Sequence, residues 1–373
     1  MDRNGGTASG RIRWWLDGER SPLLGKLIEA PDRVLQGPGS VARARVGRKR
    51  FFRVAADGEG PALYVKVFAL APGWPRLRYL LRPSKARRVR ALGFDAVGPV
   101  AVGEERRYGM LLRSFSAIPE HPGRDLRELL PDPALQRARR LRLLRAFAEL
   151  ARRLHDAGVD QDDFSPNNFL AGDDDAICLI DFERCHVGRP LGERRHALLA
   201  KLHRHDLGIS RTDRLRFLGW YLGPGADRGE RRRALERILS AFRRIRARDA
   251  RRAAQAAFRP GRNVAQRGDA WVVVGRESAP CLRLELPAAE AREVWVRAHQ
   301  LERLGLPALR PVRLGPDWVE LEDPGPERET DDAEASRARR ALAAYGRFPL
   351  EPEWVFTRRG ALLRDPRAFE LTL

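Results

Sequence analysis

Three strand-like runs open the patterned part of the chain: Arg33 to Arg45 around Gly37-Pro38-Gly39-Ser40, Arg50 to Ala55, and Ala62 to Phe68. Asp57-Gly58 and Glu59-Gly60 mark the turn before the third run. A helix is predicted at Ser84 to Leu92, then a strand pair near Pro99 to Val102 and Gly109 to Arg113. In Gln136 to Asp156 the residues Leu143, Phe147, Leu150 and Leu154 recur at helical spacing with arginines on the other face, and Gly158 ends the pattern. The apolar run Ile177-Cys178-Leu179-Ile180 reads as a buried strand that stops at Asp181. An Arg/Ala-rich helix follows at 229 to 257, and Gly261 to Asp269 reads as a linker. Beyond it the chain echoes itself. Cys281 to Leu286 followed by 293 to 315 parallels Leu63 to Phe68 followed by 84 to 103, and Gly360 to Glu370 parallels the strand ending at Asp181. The whole is of α+β class, and residues 260 to 373 read either as a degenerate repeat or as an unrelated appendage.

The chemistry concentrates between Val159 and Arg184. Asp163 is followed at +5 by Asn168 and at +18 by Asp181, so two acids and an amide fall on neighbouring loops. Such a set can hold divalent cations and orient a hydroxyl, the parts that phosphoryl transfer needs. The segment carries seven aspartates, and Asp160 and Asp162 compete with Asp163 as Asn167 does with Asn168. Upstream, Lys66 interrupts the apolar run Leu63-Tyr64-Val65-Lys66-Val67-Phe68. It is one of only five lysines, and a buried ammonium needs a partner such as phosphate oxygens. The alternative is a lysine facing water from an alternating strand. His155 reads as a packing residue. His186, His196, His203 and His205 have no ligand spacing for zinc, and Ser165, Ser210 and Thr212 no neighbouring histidine arrangement for acyl transfer.

Charge narrows the partners. The 373 residues carry a formal net charge of +21. Residues 251–373 hold 21 basic and 19 acidic side chains, so 19 of the excess positive charges fall in residues 1–250. An anionic partner is expected there: nucleotide phosphate, anionic lipid headgroups or nucleic acid. Nucleic acid ranks last, since the chain lacks zinc-finger spacing, an RNA-recognition signature and a basic-aromatic platform. Three cysteines without metal-ligand spacing, and the lack of a spanning stretch or an apolar leader, lead to the expectation of a cytoplasmic protein. Residues 1–29, with the Trp14-Trp15 pair, read as a frayed arm with one hydrophobic anchor or as a membrane-surface contact.

The segment from Gln161 to Glu183 resembles the catalytic loop and metal-binding strand of the protein-kinase-like superfamily. Gln161-Asp162-Asp163 stands where kinases have His-Arg-Asp, and Asp181-Phe182-Glu183 where they have Asp-Phe-Gly. IDFERC at 180–185 and SRTDRLRF at 210–217, followed by Trp220-Tyr221, are most similar to the lipopolysaccharide kinases, the Kdo and heptose kinase (WaaP) family; the similarity covers roughly residues 30 to 222. The resemblance implies a two-lobed protein-kinase-like fold, with a kinase-like N-lobe at 30–118, a C-lobe at 119–258 and an accessory α+β unit at 259–373. It implies a hinge at Ser114 to Ile118, and ATP and Mg2+ as cofactors. Gly37, Gly39 and Ser40 would cover the nucleotide with Lys66, and Asp163 would act as base with Lys66 as its catalytic partner. Asn168 and Asp181 would ligate the metal. The implied acceptor is a sugar hydroxyl of the lipopolysaccharide inner core, an anionic glycolipid met peripherally at the cytoplasmic face of the inner membrane. The pattern is broken where kinases place a glutamate in the helix after the lysine strand: no acid occurs between Glu59 and Asp95. A small-molecule or protein kinase, and a pseudokinase that binds nucleotide or a partner without turnover, fit the same residues. In the accessory unit Arg283 or Glu285 takes the place of the lysine.

Overall fold

The computed structural model describes the chain except residues 1–6, 10–11, 18–19, 47–48, 57–59, 70–83, 109, 183, 189, 205–206, 262, 324, 326–330, 344–345, 349–351, 353, 358–359 and 372–373. Two compact units divide it, residues 1–239 and 240–373. The division falls inside a long helix rather than at the 258/259 boundary expected from sequence.

Unit 1 begins with β1 (Thr7–Ser9), β2 (Ile12–Leu16), α1 (Pro22–Glu29) and α2 (Pro31–Gln36). Next come β3 (Ser40–Val46), β4 (Lys49–Val54), β5 (Leu63–Ala69), α3 (Ser84–Ala91), β6 (Ala96–Val97), β7 (Ala101–Arg107) and β8 (Met110–Pro119). Seven of these strands form an antiparallel sheet in the order β1-β2-β7-β8-β5-β4-β3. Alternation gives it two unlike faces. On one, Val65, Val67, Phe115, Ala117 and Trp14 form a core with Leu24, Leu27 and Ile28 of α1. On the other lie Lys66 and Phe68 of β5 with Ser114 and Ser116 of β8.

The described part of residues 1–29 is therefore packed into the lobe rather than forming a frayed arm. β2 pairs with β7 along its length, and Trp14 is fully buried against Gly103, where a Cβ would come within 2.8 Å of the indole. Arg33, expected to open a strand, lies in α2, whose Pro31 sits at a helix start that tolerates its missing N–H. Ser114 to Ile118, expected as the hinge, is the interior of β8, and the chain leaves the sheet only after Pro119.

Past that crossing come β9 (Arg124–Asp125), α4 (Leu126–Leu129), α5 (Arg137–Asp156), β10 (Val159–Gln161), β11 (Phe169–Ala171), β12 (Ile177–Ile180) and β13 (Cys185–Val187). Helices α6 (Arg194–Leu202), α7 (Arg211–Leu222) and α8 (Arg228–Ala256) follow. α5 buries Leu143, Phe147, Leu150 and Leu154, the stripe read from the sequence. β6, β12, β11 and β9 form a small sheet in that order, and β10 pairs with β13. Ser210 caps α7 by accepting from the backbone N–H of Asp213 at 3.1 Å and donating to its carboxylate, which accounts physically for the SRTD motif. Among the described residues no helix is long and apolar enough to cross a membrane.

Unit 2 contains β14 (Val264–Arg267), β15 (Ala270–Val273), β16 (Cys281–Glu285), α9 (Ala288–Leu304), β17 (Pro311–Leu314) and β18 (Trp318–Glu322). It ends with α10 (Asp332–Ala343), β19 (Gly346–Arg347), β20 (Trp354–Thr357), β21 (Gly360–Leu363) and β22 (Glu370–Leu371). β14 lies inside the stretch expected as a linker. The sheet runs β14-β15-β17-β18-β16, so the strand before the helix pairs with the second strand of its own sheet after it, as β5 pairs with β8 in unit 1, where β6 belongs to the small sheet. Both helices are followed by a left-handed glycine, Gly93 (φ 81°) and Gly305 (φ 67°). In each unit a parallel bridge then reaches a later strand: Ala96 to Leu179 in unit 1, Ala308 to Leu363 in unit 2. Lys66 is opposite Ser116, itself opposite Val102; Leu284 is opposite Val319, itself opposite Leu314. On the repeat reading this register sets Leu284, between Arg283 and Glu285, opposite the strands that correspond to those facing Lys66.

His155 on α5 is buried, and its Nδ1 lies 2.8 Å from the Tyr221 hydroxyl. Burial, helped by the charges of Arg195 and His196, lowers its pKa from 6.5 to about 3. The unfolded chain therefore takes up a proton near pH 6.5 that the folded chain refuses until about pH 3, so this stability is complete above 6.5 and is lost on acidification. Denaturant unfolding of the wild type is expected to lose up to about 1.4 kcal/mol per pH unit from this group between about pH 6.5 and 4.5. His155→Gln should show a shallower slope, and an identical slope would refute the assignment.

Candidate active site

Lys66 stands on β5 between the buried Val65 and Val67, pointing away from the core they join. Its Nζ donates to Asp181 Oδ2 at 2.9 Å, with the two side chains 14% and 32% exposed. Asp181 follows β12 directly and has φ 61°, a left-handed conformation that costs a non-glycine residue energy and is concentrated at functional sites. The ion pair joins the first sheet to the end of the small one.

The acid that kinases draw from the helix is absent from α3 as well as from its sequence. Its Arg87 and Arg90 instead donate to Asp17 at 2.5 and 2.9 Å, and Arg88 to the carbonyl of Val187 at 2.9 Å. Lys66 has Asp181 as its carboxylate partner.

The loop after β10 is held from below by aromatic packing. Phe164 and Phe169 are buried against each other and against Phe147 of α5, with ring centroids 5.2, 6.0 and 4.7 Å apart. Asn168 is 3% exposed and donates through Nδ2 to the carbonyl of Asp163 at 2.8 Å, while its Oδ1 accepts from Asn167 at 3.3 Å. Asn167 is exposed, so Asn168 is the amide built into the loop. Gln161, buried where kinases carry histidine, donates to the carbonyls of Ile180 and Asp181 at 3.2 and 3.0 Å. An amide thus ties the loop to the strand end that carries Asp181.

The three competing aspartates differ in their surroundings. Asp160 is paired with Arg194. Asp162 meets Lys201 at 3.1 Å and Arg194 at 3.2 Å; burial works to raise its pKa, but these cations outweigh it and hold the carboxyl below its ordinary value. Asp163 is exposed and has no ion-pair partner among the described residues. Its carboxylate is the one presented to solvent.

Gly37, Gly39 and Ser40 do not form the turn of a strand hairpin. Gly37 caps the end of α2 and Ser40 opens β3 opposite Val54, while Val46 at the other end of β3 is opposite Lys49; residues 47–48 lie outside the described residues. Glu183 lies outside the described residues too, as does His205. His186 is exposed on β13, His196 pairs with Glu193 and His203 meets Arg214, so none of these three gathers a ligand set among the described residues. Sequence reasoning missed Lys201 and Arg194 as the groups that occupy the neighbouring acids. The rarity of lysine in the chain is the signal that singles out Lys201, and nothing singles out one arginine among so many.

The family model of the lipopolysaccharide kinase (Kdo/WaaP) family matches residues 79–221. The chain is 30% identical over 213 residues to the lipopolysaccharide core heptose(I) kinase WaaP of Pseudomonas aeruginosa, covering 49% of this chain and 76% of that protein. It is 26% identical over 116 residues to the 3-deoxy-D-manno-octulosonic acid kinase of Vibrio cholerae, covering 31% of this chain and 47% of the relative, which is less than half its length. A solved structure titled "WaaP in complex with acyl carrier protein" aligns at 23% identity with a TM-score of 0.41, over 56% of this chain and 86% of that one. With three quarters of a 30% identical heptose kinase matched, the chain belongs to the lipopolysaccharide kinase (Kdo/WaaP) family and is a kinase of the protein-kinase-like fold.

Proposed function

We propose that the protein transfers a phosphoryl group from ATP to a hydroxyl of Kdo or heptose in the lipopolysaccharide inner core. The observation that carries this reading is the Lys66–Asp181 ion pair beside a loop in which Asn168 clamps the backbone of Asp163. Asp163 receives or orients the acceptor hydroxyl, since its carboxylate is exposed while both neighbouring acids are neutralised. Lys66 steadies the phosphates as a compact point charge. The amide oxygen of Asn168 and the carboxylate of Asp181 are hard oxygen donors of the kind magnesium takes, and the left-handed backbone aims Asp181 off the end of its strand. Bound there, magnesium would neutralise charge on the transferring phosphate. Phosphoryl transfer passes through a loose transition state, so positioning and charge neutralisation contribute most of the rate and Gln161 and the Phe147 cluster act by fixing the loop.

The positive excess in residues 1–250 suits a phosphorylated glycolipid at the cytoplasmic face of the inner membrane. Residues 240–373, with Leu284 at the lysine position, we read as a degenerate kinase-like unit that braces rather than catalyses.

Asp163→Asn should lower phosphate transfer by about 10²-fold or more while leaving the thermal unfolding transition in place; Lys66→Met should lower transfer as far and also lower the transition, because Asp181 loses its ammonium. Asp162→Asn should instead keep transfer within about tenfold and unfold at lower temperature, because Lys201 and Arg194 lose their carboxylate. Undiminished transfer in Asp163→Asn would overturn the base assignment. With labelled ATP, the label is expected on purified core lipopolysaccharide lacking its phosphates; transfer to peptide or to free small molecules with none to the core would overturn the acceptor.

A further inference from the structure

Three ligating atoms, one each from Asp95, His121 and Cys178, lie within 4.8 Å of one another, the single such group of three among the described residues. Their segments are far apart in sequence and meet where the chain crosses between the layers of unit 1. Asp95 ends the turn after α3, and its carbonyl accepts from the backbone N–H of Leu179 at 3.0 Å. His121 follows β8 at the start of the crossing, held by the bond from Glu120 N–H to the carbonyl of Ala62 at 2.7 Å. Cys178 is a buried residue of β12, three positions before Asp181.

We propose that Asp95, His121 and Cys178 form a zinc site that pins the strand carrying Asp181 to the crossing between the two layers. The donor set selects the ion. Thiolate sulfur with imidazole nitrogen suits zinc, whereas magnesium and calcium take oxygen alone. The three protein ligands leave a fourth, tetrahedral position, and the exposure of Asp95 opens the cluster to water. Sequence spacing concealed the set because each ligand comes from a different stretch and only the pairing of β6 with β12 gathers them.

The surroundings of the thiol agree with this. The thiol of Cys178 and the carboxylate of Asp95 lie within 4.8 Å of each other, and a dication that displaces the thiol proton is attracted by both groups. Arg90 is the opposing charge, and its guanidinium is engaged by Asp17 and by the carbonyl of Ala96. On His121, Nδ1 accepts from the backbone N–H of Gly123 at 3.1 Å. Ligation through Nε2 moves the ring proton onto Nδ1 and ligation through Nδ1 displaces Gly123, so either route exchanges one neutral hydrogen bond for a metal bond.

The test is titration of the purified full chain with Co2+, which gives a sulfur-to-cobalt charge-transfer band only when a thiolate is bound, followed by displacement with Zn2+. The wild type is expected to show the band at one ion per chain and to melt at higher temperature with Zn2+. His121→Ala and Cys178→Ala should lose the band, and Asp95→Asn should bind at least tenfold more weakly. His121 is only half-buried, so its variant stays informative where removal of the buried thiol harms folding. Asp181→Asn should keep the band, which separates this site from the proposed magnesium ligands. No thiolate band in the wild type, or equal binding by His121→Ala through Cys185 or Cys281, would overturn the proposal.

Discussion

The ammonium of Lys66 against the carboxylate of Asp181 is the interaction on which the rest of unit 1 depends. Each charge alone would be costly where it stands, since most of the lysine side chain is withdrawn from water inside an apolar strand. Paired, they fix the distance between the first sheet and the end of β12. Everything attached to β12 is then set: β11 and the Asn168 turn through Phe169 and Leu179, the loop of Asp163 through Gln161, and the turn after α3 through Asp95. The left-handed backbone at Asp181 is held by Lys66 at its carboxylate and by Gln161 at its carbonyl.

A run of three acids in four residues would repel itself if all faced one cleft. The fold separates them by strand alternation and by the placement of α6. Asp160 is drawn inward onto Arg194, and Asp162 takes the ammonium of Lys201. That leaves Asp163 without a counter-charge of its own among the described residues. Arg194 and Lys201 of α6 thus do more than solubilise: in a chain so rich in cations, which acid is left unpaired decides where chemistry can occur.

What was legible in the sequence was local. The helix of α5 shows in its own periodicity, β12 in four consecutive apolar residues ended by an acid, and Lys66 in the contrast between a charge and its strand. What was hidden depended on distant pairing. Trp14 looked like an anchor on a loose arm because its partner Gly103 lies far along the chain, and only the β2–β7 register brings the indole onto a position without a Cβ. Gly37-Pro38-Gly39 has the composition of a hairpin turn, yet a glycine that ends the preceding helix, followed by a proline just beyond it, gives the same letters. The stretch between β3 and β4, Val46-Gly47-Arg48-Lys49, carries a single glycine and offered no comparable signal in the sequence.

Unit 2 shows which parts of the arrangement serve packing and which serve chemistry. It keeps the strand, helix and returning strand pair, the left-handed glycine after the helix, and the parallel bridge to a later hairpin. All of these bury apolar surface or satisfy backbone groups. It differs in hanging its first hairpin on β17 rather than beside β16, and in placing Leu284 at the lysine position. A leucine there needs no counter-ion, so nothing requires an acid to be held in a strained conformation opposite it. The chain that follows β21 indeed spends its aspartate, Asp365, on capping a short turn by accepting from the backbone N–H of Arg367. On the reading of unit 2 as a degenerate kinase-like unit, loss of the buried cation and loss of the acid that answers it are one change, because either charge left without the other would destabilise the unit.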